Sequence, residues 1–182
     1  MAAAAADRLD PARSVLVVVD IQEAFRPAID GWSGVVDGAA VLIEGAQALD
    51  VPVIVTEQYP RGLGDTVPEL LEHLEGVERL PKTVFAASRA EGFSLGGRDQ
   101  AILCGVEAHV CVSQTALDLL AHGTAVHIAT DAVASRTAAN RAVGLERMEA
   151  AGATTSSVEM VLFELLGAAG GEAFKTIQRL VK

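Results

Sequence analysis

Cysteine is scarce in this chain: two residues, Cys104 and Cys111, among 182. Two thiols cannot form a disulfide framework, which excludes the small stapled scaffolds of secreted proteins. A reduced, cytoplasmic setting is the natural expectation. Basic charge is also short, with 14 Lys and Arg against 24 Asp and Glu and a net charge of −10. That balance disfavours nucleic acid and anionic membranes as partners, although it allows a locally positive pocket. No apolar run approaches the ~20 residues of a membrane span. The opening Met-Ala-Ala-Ala-Ala-Ala lacks the basic start and long apolar core of a secretory signal. Residues 1–12 are therefore expected to be a frayed tail before a domain at 13–182. Repeats, linkers and low-complexity stretches are absent beyond the first residues.

What is present is a globular composition, 51% hydrophobic and 21% charged, at a length that suits one domain with a substantial core. Ser14 to Val19 is a continuous β-branched run, as a strand buried on both faces should be. Val35, Ala39, Leu42, Ala46 and Leu49 mark a helix. Val53 to Val55 reads as the next strand, leading to Thr56-Glu57-Gln58-Tyr59-Pro60. Thr66 and Glu69 resemble a capping box before a short helix at Leu70, Leu71 and Leu74. Thr83 to Phe85 is a brief strand or a loop. Ala101 to Cys104 and Ala125 to Ala129 are further strand candidates, the latter ending at Thr130-Asp131. A helix is expected over Asn140 to Ala151, a last strand over Thr154 to Ser157, and helical spacing returns at Val158 to Leu166 and Phe174 to Val181. Strands alternating with helices imply parallel pairing through right-handed crossovers. The expected fold is a three-layer α/β/α domain with a mostly parallel, doubly wound sheet of about six strands.

In such sheets ligands bind beyond the carboxyl ends of the strands. Asp20 follows the first strand, Gln58 the second, and Cys111 the central one. Between Cys104 and Cys111 the chain reads strand, tight loop, helix, with the helical pattern running to a stop at Gly123. A cysteine in the first turn of a helix faces unpaired N–H groups and the positive end of the dipole, which favour the thiolate. A cysteine is more often a small core hydrophobe, and Cys104 inside its strand fits that description. Cys111 needs partners to be anything else. Lys82, flanked by Pro81 and Thr83-Val84-Phe85, would lower its pKa, and Asp20 would accept its proton and pass it to a leaving amine. Taken singly, Asp20 reads equally as a cap and Lys82 as a snorkelling surface residue. Together with helix-start amides at an oxyanion, they make an acyl-transfer device.

These motifs resemble the isochorismatase-like cysteine hydrolases. Asp20-Ile21-Gln22 with Phe25, then Lys82, then Gly105-Val106-Glu107-Ala108-His109-Val110-Cys111 stand in the family's order and spacing. Gln22-Glu23-Ala24-Phe25-Arg26-Pro27, Thr56-Glu57-Gln58-Tyr59-Pro60 and Gln114-Thr115-Ala116-Leu117-Asp118-Leu119-Leu120 look closest to its isochorismatase-domain-containing branch. The resemblance implies a triad of Asp20, Lys82 and Cys111. It also implies a non-proline cis peptide at Val106–Glu107, with the loop of Val106, Glu107, Ala108 and Cys111 aiming amides at the oxyanion. It implies no cofactor, and a homo-oligomer of dimer size or larger.

Two departures narrow the chemistry. Family members that cleave the vinyl ether of isochorismate do without the cysteine, so Cys111 speaks against that reaction. Nicotinamidases bind a metal through an Asp and histidines after the second strand. Here that stretch is Gln58-Tyr59-Pro60, remote in sequence from His73, His109, His122 and His127, and no metal site is expected. His109 is assigned to the loop or an interface. Phe25, Gln58 and Tyr59 are the candidates for lining the substrate pocket. The expected activity is hydrolysis of a C–N bond in a small amide or ureido compound. The alternative is a silent scaffold of the same fold that binds a partner or ligand. A dehalogenase-like phosphatase would need a second aspartate where Gln22 stands.

Overall fold

Alternating side chains of the first strand decide the layering. In the computed structural model, which describes residues 8–182, β1 (Ser14–Val19) is buried along its whole length. Leu16 and Val18 enter one apolar cluster, and Val15, Val17 and Val19 enter another on the opposite face. Both faces must therefore be covered by helices, the usual fate of a parallel sheet. On the first face lie α1 (Trp32–Ala48), α3 (Pro68–Leu71), α6 (Val158–Leu166) and α7 (Gly171–Leu180), contributing Leu42, Ile43, Leu70, Leu162 and Ile177. On the second lie α4 (Ser113–Ala121) and α5 (Ala138–Ala150), contributing Ala116, Leu119 and Met148. A short helix, α2 (Pro60–Leu63), follows the second strand.

The sheet has six strands in the order β3-β2-β1-β4-β5-β6. Its further members are β2 (Val53–Gln58), β3 (Arg79–Lys82), β4 (Gln100–Val106), β5 (Ala125–Ala134) and β6 (Thr154–Ser156). Every ladder between them is parallel. The chain winds outward from β1 to β3, returns to lay β4 beside β1, and winds outward again. The winding reverses between β1 and β4, so the crevice beyond their carboxyl ends is the natural ligand site.

Several boundaries differ from the sequence reading. β2 continues through Thr56, Glu57 and Gln58, polar residues that are nonetheless buried because each finds a hydrogen-bond partner. Of the two alternatives for Thr83 to Phe85 the loop is the one found, and the third strand lies just before it, at Arg79–Lys82. Val84 and Phe85 are exposed, 43% and 51%, and pair with no strand. β5 passes through Thr130-Asp131, whose side chains bind Ser156 O and the Val158 N–H instead of ending the strand. Thr66 does not cap α3; its hydroxyl and N–H both donate to Glu57 Oε1. β4 runs on into Gly105 and Val106, which the sequence assigned to a loop. Gly105 sits at φ +113, and a Cβ there would fall 2.0 Å from Val19 O, so no other residue fits beside β1.

The expected tail divides. Residues 1–7 lie outside the described residues, whereas residues 8–12 are tied down. Leu9 is 4% exposed, its N–H donates to Glu164 Oε2, and the Asp10 N–H donates to Gln100 Oε1. An apolar side chain that reaches the core has no reason to fray.

Candidate active site

Asp20 is the first residue beyond β1. Its backbone turns into the left-handed region, φ 53, which is uncommon for a residue with a side chain. The turn is held by its N–H to Thr56 O, and the fully buried carboxylate is satisfied on both oxygens. Thr56 Oγ1 donates to Oδ1 at 2.7 Å, and Lys82 Nζ donates to Oδ2 at 2.7 Å.

Lys82 ends β3, two strands away from β1, and its long stem spans the end of β2 between them. The ammonium also meets Gln58 Oε1 at 2.6 Å, Phe85 O at 3.1 Å and Val84 O at 3.3 Å. Neither Lys82 nor Asp20 exposes any of its side chain, so this is a buried ion pair. It is costly to bury and far costlier to break from one side. Gln58 is fixed in turn, since its Nε2 donates to Thr83 O. Gln22 clamps the end of β2 by donating to Gln58 O and Gly64 O and accepting from the Gln58 N–H.

Cys111 enters from the other side of the reversal point. The Val106–Glu107 peptide is cis, as the motif implied, and the chain then forms a π-helical turn, Ala108–Val112, before α4. Cys111 lies inside this turn, upstream of α4, with its carbonyl capped by Thr115 Oγ1 at 2.6 Å. The N–H groups of Val110 and Val112 both donate to Glu107 O, which removes them as oxyanion donors. Gly144 of α5 lets that helix close on the turn, because a Cβ would meet Ala108 and His109 backbone at 2.9 Å. The Val106 and Ala108 side chains go into the two cores rather than the site.

The Cys111 thiol lies close enough to Asp20 and Lys82 to feel both charges. Its proton is held more tightly than the sequence reading expected. Burial, followed by the Asp20 charge, pushes the thiol up to about 12, and Lys82 only partly opposes them. Near neutral pH Cys111 is therefore a thiol with a carboxylate close by.

A cavity of about 490 Å³ opens over Cys111. Ala24, Phe25, Ala28, Leu63, Phe85 and Val110 make its walls apolar, and Gln58, Glu107 and Arg136 are its polar members besides Cys111. Phe25 and Gln58 line this cavity with Cys111. Tyr59 is 54% exposed and lines a different cavity with Arg61, Lys82 and Val84. Its backbone is left-handed, φ 38, and its N–H donates to Lys82 O. A larger cavity, about 820 Å³, lies between residues 8–13 and α6 and contains none of the three candidate residues. His109 pairs its Nδ1 with Ser135 Oγ at 3.0 Å, a loop contact. Among the described residues, no three His, Cys, Asp or Glu gather as a metal-binding group.

Sequence reasoning missed Arg136 and the second role of Glu107. The Arg136 N–H and Nε both donate to Glu107 Oε2 at 3.0 Å. An arginine between Ser135 and Thr137 carries no pattern that announces a pocket. Only the extension of β5 to Ala134 brings it to the same end of the sheet as Cys111.

Residues 14–160 match the family model of the isochorismatase domain. The chain belongs to that family. The human isochorismatase domain-containing protein 2 is 44% identical over 178 residues, covering 96% of this chain and 86% of that protein. The solved structure of the MAR1 ribonuclease of Caenorhabditis elegans superposes with a TM-score of 0.89 at 39% identity, covering 96% of this chain and 92% of that one. YcaC from Pseudomonas aeruginosa, solved with hexane-2,5-diol and covalent acrylamide, gives 0.90 at 26% identity, with 98% and 93% covered. YcaC from Escherichia coli, described as an octameric hydrolase of unknown specificity, gives 0.85 at 25%, with 91% and 85% covered. The isochorismatase-like fold and family membership are therefore secure, and no described helix is long and apolar enough to cross a membrane.

Proposed function

We propose that this isochorismatase-domain protein is a cysteine hydrolase that cleaves the C–N bond of a small amide or ureido compound. One observation carries the reading: Cys111 lines a largely apolar cavity and lies in the field of a buried Lys82–Asp20 pair held at 2.7 Å. An unused ion pair in such a place costs stability without return. The Cys111 sulfur attacks the acyl carbon as its proton passes to Asp20. The C–N bond breaks as Asp20 returns that proton to the leaving nitrogen. Water then attacks the thioester, giving a proton through Asp20 to sulfur and releasing the acid. Lys82 offsets the growing negative charge, and backbone N–H groups of the 107–111 loop other than those of Val110 and Val112 serve the oxyanion. A thiol held up to about 12 suits this order of events, because the proton moves only as the bond forms.

The covalent acrylamide on the Pseudomonas relative supports a nucleophile in this fold. The worm relative is called a ribonuclease, but a net charge of −10 disfavours a polyanion as this chain's substrate. We further propose a cytoplasmic homo-oligomer. Two free thiols suit a reducing compartment, and exposed Met160 and Phe163 on α6 supply apolar surface for a second copy.

The test follows iodoacetamide labelling of each cysteine by mass spectrometry, alongside ammonia release from a panel of primary amides and ureido compounds. Cys111 should label at least tenfold faster than Cys104, Lys82→Ala should slow it, and an active amide should leave an acyl adduct on Cys111. Equal, slow labelling of both cysteines in the folded protein would overturn the hydrolase reading in favour of a binding scaffold.

A further inference from the structure

The polar groups around Cys111 differ in what they have left to offer a substrate. Lys82 Nζ already faces four acceptors. Gln58 accepts from Lys82 and donates to Thr83 O. Arg136 is the exception. Its Nε and backbone N–H go to Glu107, and among the described residues its two Nη groups have no partner. Other arginines near this end of the sheet are engaged differently: Arg89 gives Nε and Nη2 to Asp118, and Arg26 gives Nε and Nη2 to Glu23 and Glu69.

We infer that Arg136 is a specificity residue that receives a carboxylate at the mouth of the Cys111 pocket. The substrate class is then a short amide or ureido compound with an apolar body and a carboxylate at the end away from the scissile bond. This rests on the hydrolase reading above. Glu107 is 6% exposed and grips the guanidinium by Nε, leaving the outer edge free for two parallel N–H···O bonds to a carboxylate. The side chain is still 58% exposed, so a ligand can reach that edge without displacing a protein group. Phe25, Leu63 and Val110 line the cavity that Arg136 shares with Cys111 and suit a short hydrocarbon segment. In a protein of net charge −10, a cation at this mouth also fixes the direction in which an anionic substrate enters. Glu107 pairs with Arg136 and lowers its net field, so the recognition comes from directed hydrogen bonds more than from charge alone.

The test uses Cys111 as reporter and needs no turnover. Iodoacetamide labelling of Cys111 is timed at constant ionic strength with butyrate or valerate, with 1-butanol or 1-pentanol, and with inorganic phosphate. The carboxylates should protect saturably, and the alcohols of equal length at least tenfold less well. Arg136→Gln should raise the half-protecting carboxylate concentration at least tenfold, with protection measured relative to that variant's own unprotected rate. Arg136→Lys should recover part of the protection. If Arg136→Gln does not fold, the carboxylate-to-alcohol comparison in the unaltered protein decides alone. Equal protection by acid and alcohol, or protection by phosphate and not by carboxylate, overturns the inference and leaves the hydrolase reading standing. A Cys111 that labels no faster than Cys104 overturns both.

Discussion

Cys104 and Cys111 stand on the same strand–turn–helix unit, and both are buried, with thiols pushed up to about 12. By burial and by proton affinity alone they are twins. The causes separate them. Cys104 is raised by burial alone and packs among Leu16, Val18 and Ile102 in the core beneath α1. Cys111 is raised by burial and a neighbouring carboxylate, opposed by an ammonium, and opens onto a cavity. On the proposed reading, what marks Cys111 as the nucleophile is the company of the thiol and its access to a cavity, rather than a depressed resting pKa.

The largest effect that would sharpen this contrast is on turnover. Cys111→Ala should lower amide hydrolysis by about a thousandfold or more, the scale of losing a covalent nucleophile. Cys104→Ala should stay within about threefold, as ammonia release will tell. A Cys104→Ala variant as inactive as Cys111→Ala would erase the distinction.

Next in size is the ion pair that makes the difference. Lys82→Met leaves Asp20 buried and unpaired, and should cost about 3–5 kcal/mol in urea unfolding. Adding Asp20→Leu should recover much of that loss without restoring Cys111 labelling. A Lys82→Met protein as stable as the parent would show that the buried charge has another partner.

The two thiols should also share a pH signature. Both fold with the proton on, and both pKa values lie above the unfolded value of 9.0. Their stabilisation is complete below about pH 9 and is lost as pH rises from 9 toward 12, by about 1.4 kcal/mol per pH unit for each group. Urea midpoints of the parent should fall across that window, and Cys104→Ala should fall less steeply. Labelling of native Cys111 should keep rising through pH 9 where the denatured chain levels off. A plateau near neutrality would mean a thiolate at rest.

The smallest expected effect concerns Tyr59. Facing a separate cavity, it should tolerate Tyr59→Ala with Cys111 labelling changed by less than twofold, whereas Phe25→Ala should alter it severalfold.

The fold class and most of the element order were readable before any coordinates. β1 announces itself as a β-branched run ending in Asp20, because a strand buried on both faces admits no polar break. Cys111 was flagged by a local pattern of strand, loop and helix. The cavity that Tyr59 lines and the position of the third strand were not legible for one shared reason. Side-chain direction depends on φ and on ladder partners, and neither Tyr59's left-handed turn nor the pairing of Arg79–Lys82 with β2 leaves a mark in hydrophobic spacing.

By itself, the sequence determined the two-faced strands, the helices that cover them and the presence of an acid and a thiol beyond strand ends, since these follow from local periodicity and residue type; that Lys82 also ends a strand came from the ladder of β3 with β2. Only the tertiary structure decided that β1 lies between β2 and β4. That arrangement puts Asp20 between Lys82 and Cys111, and it delivers Arg136 to the same cavity from the end of β5. The resting state of the thiol was likewise settled in three dimensions. Burial acts on it from every side, while a motif records only the neighbours along the chain.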